Sequence, residues 1–305
     1  MITAVVLSVL AAAVAGMYFL SVKVYNKSFD YRCTTGADVW LDISQFPGLA
    51  RERHTFRSHQ GQQLVGYLYT RDGTRDKKAL VVFAHGLGAG GQTAYMDIFD
   101  FLAARGYAVF AYDATGNDES EGERVGGLPQ GYIDLKYAME YAASLPETSA
   151  LPVVLMGYSW GGLSVANVLN YHPEVKAVAA LAGWNRSMDL IDHRGCQTVG
   201  KAAKLMLPFA AVYEHVRYGD YASSTALKGF AKSDCRVLIV HGQLDTSVPI
   251  RYGYDTYYAV YGQDSRFTFL HYPDRAHGIL DVTKGVRDME LVGKIADFFD
   301  SSLTS

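Results

Sequence analysis

The sequence has few charges and few cysteines, and both shortages exclude classes of protein. Lys and Arg number 28 against 31 Asp and Glu, so the formal net charge is only −3, and the basic residues form no long run. A nucleic-acid-binding surface needs a basic stripe, so we expect no nucleic-acid partner. The three cysteines, Cys33, Cys196 and Cys235, are too widely spaced to indicate a disulfide framework or a zinc site. We therefore expect free thiols and no metal.

Long apolar runs are also scarce, with one exception at residues 2–22, which carry no charge and read ITAVVLSVLAAAVAGMYFLSV. As a helix, this run would span roughly 30 Å, the thickness of a bilayer's hydrocarbon core. A buried core helix would be unusually apolar on every face. A cleaved signal peptide is an alternative, because residues 13–15 (Ala-Val-Ala) could form its cleavage site, although no Lys or Arg precedes the run. We predict a membrane anchor over residues 1–22 and a tether over 23–50.

The charges that flank this run predict its orientation in a membrane. Lys23, Lys27 and Arg32 follow the run, whereas only the α-amino group precedes it. The positive-inside rule then places the rest of the chain on the cytoplasmic side. Secretion after signal cleavage is the alternative.

Residues 51–305 alternate between strand and helix patterns and predict one α/β domain. Short apolar runs, such as 78–84 and 107–112, are typical of strands buried on both faces of a parallel sheet. Helical stretches lie between these runs, the last over residues 286–299, and such alternation favours a mostly parallel sheet flanked by helices. A hairpin near residues 54–70 would add antiparallel strands at one edge. Residues 183–230 show no buried strand, so we expect a cap or lid insertion there.

One motif in this domain predicts a nucleophile. Gly157-Tyr158-Ser159-Trp160-Gly161 lies between a predicted strand and a predicted helix. A G-x-S-x-G sequence in that context places the serine on a tight, strained turn, and the small flanking residues avoid clashes at the bend. We predict that Ser159 is the nucleophile of a covalent reaction.

A serine hydroxyl needs a base, and the chain offers one at a suitable place. In this kind of site the partners follow in the order Ser, Asp, His. Asp245 comes just after one predicted core strand, and His277 comes just after the last. The carboxyl ends of strands are where open α/β sheets bind their ligands, so we predict that these residues are the acid and the base. Asp274 and Asp281 are the alternative acids.

A glycine-rich loop over residues 85–91, His-Gly-Leu-Gly-Ala-Gly-Gly, follows the first central strand. Acyl transfer creates an oxyanion that fixed backbone N–H groups stabilise. We expect these donors to be the N–H groups of Leu87 and Trp160. A phosphate-binding loop is disfavoured, because the Lys-Ser/Thr ending of a P-loop is missing.

Together, the segments 85–91, 113–122 and 157–161, with Asp245 and His277, resemble the α/β-hydrolases. They are most similar to the monoacylglycerol lipase, lysophospholipase and serine aminopeptidase-like group. The likeness covers roughly residues 60–300 outside most of the insertion, and it implies an acyl-enzyme mechanism without a cofactor. The group's D-x-x-G-x-G-x-S-x-G loop is altered here, since Asp118 replaces its middle glycine.

The expected substrate is a carboxylic ester, lipid-like or small. The insertion is rich in apolar side chains that suit acyl chains, and an anchor would place the enzyme beside lipids. A peptidase or amidase that uses the same three residues is the alternative. A non-catalytic binding protein is disfavoured, because no member of the Ser-Asp-His set is missing.

Overall fold

The computed structural model describes residues 2–72, 77–88, 90–283 and 285–304. It begins with a long helix, α1 (Ile2–Phe29). Only 6% of the most apolar window of α1 is buried, so this part is not a core helix of the domain. Its last two turns differ, because Tyr25 and Phe29 lie four residues apart on one face and are buried in the domain. Residues 23–29, expected in a flexible tether, are therefore helical and packed.

Eight strands in the described part of the chain form one sheet, with the order β1-β2-β4-β3-β5-β6-β7-β8. The first two strands form the predicted antiparallel hairpin, and β3 to β8 are parallel to one another. The strands are β1 (Leu49–Arg57), β2 (Gln63–Arg71), β3 (Leu80–Ala84), β4 (Ala108–Asp113), β5 (Val153–Tyr158), β6 (Ala177–Leu181), β7 (Arg236–Gly242) and β8 (Phe267–Tyr272). Residues of β3 to β6 are almost entirely buried, as the continuous apolar runs predict.

Helices cover both faces of this sheet. They are α2 (Met96–Ala104), α3 (Gln130–Ser144), α4 (Trp160–Asn167), α8 (Tyr254–Tyr261) and α9 (Met289–Leu303). Two apolar clusters, one on each face, form the core. This arrangement confirms the predicted fold class, an α/β-hydrolase fold with a mostly parallel sheet.

The segment between β6 and β7 is helical. It contains α5 (Ser187–Val199), α6 (Ala203–Tyr218) and α7 (Ala226–Lys232). Helix α6 packs beside α1, and the Tyr25 hydroxyl donates a hydrogen bond to Oε1 of the buried Glu214 side chain over 2.6 Å. We call α5 and α6 the cap.

The last predicted helix starts later than expected. Val286 and Arg287 form a short strand, β10, which pairs with β9 (Asp281–Thr283), and α9 begins only at Met289. Asp288 caps α9 by accepting a hydrogen bond from the Leu291 N–H.

Candidate active site

Ser159 lies on a sharp turn between β5 and α4. Its backbone has φ 57° and ψ −113°, a conformation that is unfavourable for a residue with a side chain. Glycines on both sides permit the turn. A Cβ on Gly161 would lie 1.9 Å from the Ala84 carbonyl oxygen, and a Cβ on Gly157 would lie 2.1 Å from the Gly161 oxygen. The strain at Ser159 is therefore held by close backbone packing that only glycine allows.

The structure brings the three predicted catalytic side chains together. The His277 Nε2 lies 2.8 Å from the Ser159 Oγ, and the His277 Nδ1 lies 2.7 Å from the Asp245 Oδ2. Each residue follows the carboxyl end of a parallel strand, namely β5, β7 and β8. These distances allow a proton to pass from the hydroxyl to the imidazole while the carboxylate accepts a hydrogen bond from the other ring nitrogen.

The Asp245 carboxylate is enclosed and held by several donors. Its Oδ1 accepts hydrogen bonds from the N–H groups of Ser247 and Val248, at 2.9 and 2.8 Å. Burial raises the pKa of Asp245, but hydrogen bonds from His241 and His277 outweigh burial and leave this pKa well below its usual range. Asp245 is therefore a carboxylate at neutral pH, fixed so that one oxygen faces His277.

His241 also belongs to this site. The sequence did not predict its contact with Asp245. Its Nε2 lies 2.9 Å from the Val248 carbonyl oxygen and 3.3 Å from the Asp245 Oδ2. The carbonyl can only accept, so Nε2 carries the proton and donates. The histidine therefore contacts the same carboxylate oxygen, Oδ2, that faces His277. A buried histidine four residues before the acid, at the end of the same strand, is the signal that could have indicated this contact.

Two hydrogen bonds to the His277 carbonyl oxygen fix the loop that carries this residue. The Tyr158 hydroxyl donates to the His277 carbonyl oxygen over 3.0 Å, and the Ile279 N–H donates to the same oxygen over 2.7 Å. The Tyr158 and His277 rings lie 5.5 Å apart between centroids. The residue before the nucleophile therefore positions the loop of the base.

Leu87 and Trp160, the expected oxyanion donors, both lie at this end of the sheet. Leu87 lines the same cavity as Ser159 and His277. Trp160 is the first residue of α4, where a backbone N–H has no partner within the helix. Ala89, in the same glycine-rich loop as Leu87, lies outside the described residues.

The structure of the loop over residues 113–122 shows how Asp118 fits where the similar group has a glycine. Asp118 adopts φ 35°, a left-handed conformation that aspartate tolerates better than most residues. Its carboxylate accepts hydrogen bonds from the N–H and hydroxyl of Thr35 and from the Gly91 N–H. The side chain thus joins this loop to the glycine-rich loop, which supports the oxyanion side of the site.

A cavity of about 380 Å³ opens over Ser159. One wall comes from the cap, including Leu190, Arg194 and Gln197. Another wall, which the sequence did not predict, comes from the end of α1 and the residues after it. The lining residues are Ser28, Phe29, Tyr31, Leu87, Ser159, Trp184, Leu190, Arg194, Gln197, Thr198, Ser247, Val248 and His277. Arg194 is the one Arg, Lys, Asp or Glu among the described residues of this lining, so a substrate meets a mixed apolar and polar surface with one cation.

The described residues contain no cluster of three or more His, Cys, Asp or Glu side chains arranged to hold a metal ion. Ser159 and Asp245 each lie within hydrogen-bond distance of His277 at this site. These groups are the parts that nucleophilic catalysis by serine requires.

Parts of this chain are similar in sequence to known hydrolases. Residues 75–214 match a family model described as serine aminopeptidase, S33. The acylamino-acid-releasing enzyme of Rattus norvegicus is 25% identical over 202 residues, which is 62% of this chain and 27% of the rat enzyme. The chain thus spans about a quarter of the length of this relative.

Solved structures share the fold at low sequence identity. An esterase of Pyrococcus furiosus superposes with a TM-score of 0.66 at 16% identity, covering 90% of this chain and 98% of the esterase. An acylaminoacyl peptidase of Pyrococcus horikoshii gives a TM-score of 0.62 at 16% identity, covering 85% of this chain and 42% of the peptidase.

The sheet, its flanking helices and these similarities define an α/β-hydrolase fold. Within that fold class the chain is similar to the S33 serine aminopeptidase family over residues 75–214.

Proposed function

We propose that the protein hydrolyses carboxylic esters through an acyl-enzyme in which Ser159 is the nucleophile, His277 the base and Asp245 the acid. The observation that carries this proposal is the continuous chain of contacts from Ser159 Oγ to His277 to Asp245, at 2.8 and 2.7 Å. Ser159 attacks the ester carbonyl while its proton moves to His277 Nε2. Asp245 holds the Nδ1 proton and stabilises the imidazolium that forms.

The remaining steps use the same groups. The N–H groups of Leu87 and Trp160 stabilise the tetrahedral oxyanion at the amino end of α4, whose dipole favours negative charge. His277 then protonates the leaving alcohol. A water molecule, activated by His277, attacks the acyl-enzyme and releases the acid, which restores the Ser159 hydroxyl.

The cavity lining favours an ester over a peptide with a free amino terminus. An aminopeptidase must bind a charged α-amine, which calls for a carboxylate near the nucleophile. The described lining contains no Asp or Glu, and it includes the cation Arg194. Phe29, Trp184 and Leu190 supply apolar surface in the same cavity, which suits an acyl group.

Release of acylated amino acids from blocked peptides is the second candidate. The match to the rat acylamino-acid-releasing enzyme favours it, because such substrates have no free amine to bind. The same three catalytic residues would then cleave an amide, with His277 protonating an amine leaving group.

We also propose that α1 anchors the enzyme in a membrane, with the hydrolase domain on the cytoplasmic side. An apolar helix whose most hydrophobic window is 6% buried needs a non-aqueous environment for its other side chains. Carbonate washing of membranes should leave the protein in the pellet, and protease added outside intact cells should leave the domain uncut. Extraction by carbonate would contradict the anchor, and digestion from outside would contradict the orientation.

The test of the function compares Ser159→Ala with Ser144→Ala, an exposed serine at the end of α3. Ser159→Ala should unfold at the same temperature as the wild type, yet lose fluorophosphonate labelling and hydrolysis of p-nitrophenyl esters. Ser144→Ala should keep both. Persistent labelling of Ser159→Ala would refute the nucleophile. Higher kcat/KM on N-acetylalanyl p-nitroanilide than on the esters would favour the second candidate.

A further inference from the structure

A second, narrower cavity lies between α1 and the cap. It has a volume of about 30 Å³, and its lining is mostly apolar, with Val24, Ile191, Met206 and Leu207 among its side chains. Ser28 and Phe29 line this cavity and also the larger cavity over Ser159. We call the space between α1, α5 and α6 the seam; its lower end adjoins the candidate active site.

The end of the seam farther from Ser159, here called its upper end, lies toward the exposed part of α1. The Ser21 hydroxyl donates to the Met206 carbonyl oxygen over 2.9 Å, and further along the Arg217 guanidinium lies 3.4 Å from the Asp30 carboxylate. Contacts thus advance in the same direction on both helices, so α1 and α6 run side by side and parallel. From Ser21 to Phe29 the seam follows about 12 Å of helix axis.

Apolar side chains surround the upper end. Leu20 on α1 and Leu205 on α6, each next to a residue that lines the seam, are 51 and 68% exposed. Such side chains at the level where α1 leaves the domain are typical of a surface that meets lipid. The seam therefore connects a lipid-facing surface with the nucleophile.

The seam must widen to admit a chain, because its volume is only about 30 Å³. Its lining includes the small residues Gly195 on α5 and Ala203 and Ala210 on α6. A Cβ on Gly195 would lie 3.0 Å from the Ala203 side chain, so the two cap helices are in close contact here without a bulky group between them.

We propose that the seam binds the acyl chain of an ester drawn from the bilayer, with α1 as one wall, so that the anchor helix is also a substrate-binding element. The inference rests on the proposed ester hydrolysis. The carbonyl carbon lies at Ser159, and the chain passes Phe29 and Ser28 and then runs between α1 and α6 toward Ser21. The apolar lining lets the chain leave the bilayer without exposing its methylenes to water, which would be unfavourable.

A photoreactive probe tests the path directly. The full-length protein in phospholipid nanodiscs is treated with an alkyl fluorophosphonate that carries a diazirine at the end of a decyl chain. The phosphonate reports on Ser159, and irradiation then cross-links the end of the chain to its neighbours, which peptide mass spectrometry identifies. We expect cross-links on α1 between residues 20 and 28 and on α6 between residues 203 and 210.

The outcomes separate the two proposals. Phosphonylated Ser159 with cross-links only on other segments, or with the diazirine quenched by water, would overturn the seam while leaving the hydrolase intact. Absence of phosphonylation would refute the proposed function itself.

A size series at Ser28 provides a second measurement. Ser28 is half-buried where the two cavities adjoin, and its hydroxyl donates only to the Val24 carbonyl in its own helix, so the helix tolerates substitution. Ser28→Leu should lower the ratio of kcat/KM for p-nitrophenyl decanoate to that for p-nitrophenyl acetate by about tenfold or more, as expected when several methylenes lose their site. Ser28→Ala should keep the wild-type ratio. An unchanged ratio in Ser28→Leu would overturn the path.

Discussion

A single methyl group on Gly161 should disrupt the candidate site more than any surface change. The Cβ of Gly161→Ala would lie 1.9 Å from the Ala84 oxygen and 2.6 Å from the Ala84 carbonyl carbon. Both are backbone atoms at the end of β3 and cannot rotate away. The first turn of α4 must therefore retreat from β3 by more than about 1 Å to reach an ordinary van der Waals distance.

Two losses follow from that displacement. Overpacking of this kind costs about 1–3 kcal/mol of unfolding free energy. The retreat also carries Trp160 and Ser159 away from the glycine-rich loop and from His277. Misplacement of reacting groups by about 1 Å lowers rates by on the order of 100-fold, so kcat should fall by at least that factor in the folded variant.

Gly278→Ala is the matched control, because a Cβ there would meet nothing within 4 Å although the residue follows His277 directly. Thermal unfolding and hydrolysis of p-nitrophenyl acetate, normalised by titration of folded protein, measure both effects. Gly278→Ala should behave like the wild type. A Gly161→Ala variant with unchanged Tm and kcat would show that the turn is not packed as described.

Two further substitutions test charges at the site and in the seam. Asp245→Asn should lower kcat by on the order of ten-thousand-fold without unfolding the protein, because an amide cannot stabilise the imidazolium. A loss of kcat below tenfold, or an equal loss in the exposed control Asp255→Asn, would contradict the role of Asp245. Burial raises the pKa of Glu214 to about 8 from its ordinary 4.5, so the folded state holds a proton that the unfolded state releases, and stability should fall as pH rises between these values. Glu214→Gln should therefore raise Tm at pH 9 and flatten its dependence on pH, which the exposed control Glu147→Gln should leave as in the wild type; an unchanged profile in Glu214→Gln would argue against the raised pKa.

The sequence alone was sufficient to predict the fold class and to select Ser159, Asp245 and His277, which the structure brings together. Continuous apolar runs form β3 to β6 because a parallel sheet buries both of its faces. The G-x-S-x-G motif is local, so its strand, turn and helix follow from a few neighbouring residues. Asp245 and His277 could be selected by their places after strands, because those ends of a parallel sheet share one edge.

Contacts between distant segments were harder to predict. Residues 23–29 were expected in a tether, because Lys23 and Lys27 end the apolar run, yet Tyr25 and Phe29 between and after them form a buried stripe at helical spacing. The burial of His241 and its contact with Asp245 depend on the loop after β7, in which the Val248 carbonyl accepts a hydrogen bond from His241. Such features arise from long-range packing, which a pattern along the chain does not record.

Helix α1 continues without a break from its exposed apolar part into the domain. Tyr25 and Phe29 are buried and the Asp30 carboxylate accepts a hydrogen bond from the Gly126 N–H, so a domain anchored through α1, as proposed above, would have no hinge on which to swivel. The mouth of the site would then keep a fixed height and tilt above the bilayer, which limits it to molecules of one leaflet. A soluble form would need its first residue upstream of Ser21, since a cut placed after the helix would remove a wall of the cavity over Ser159.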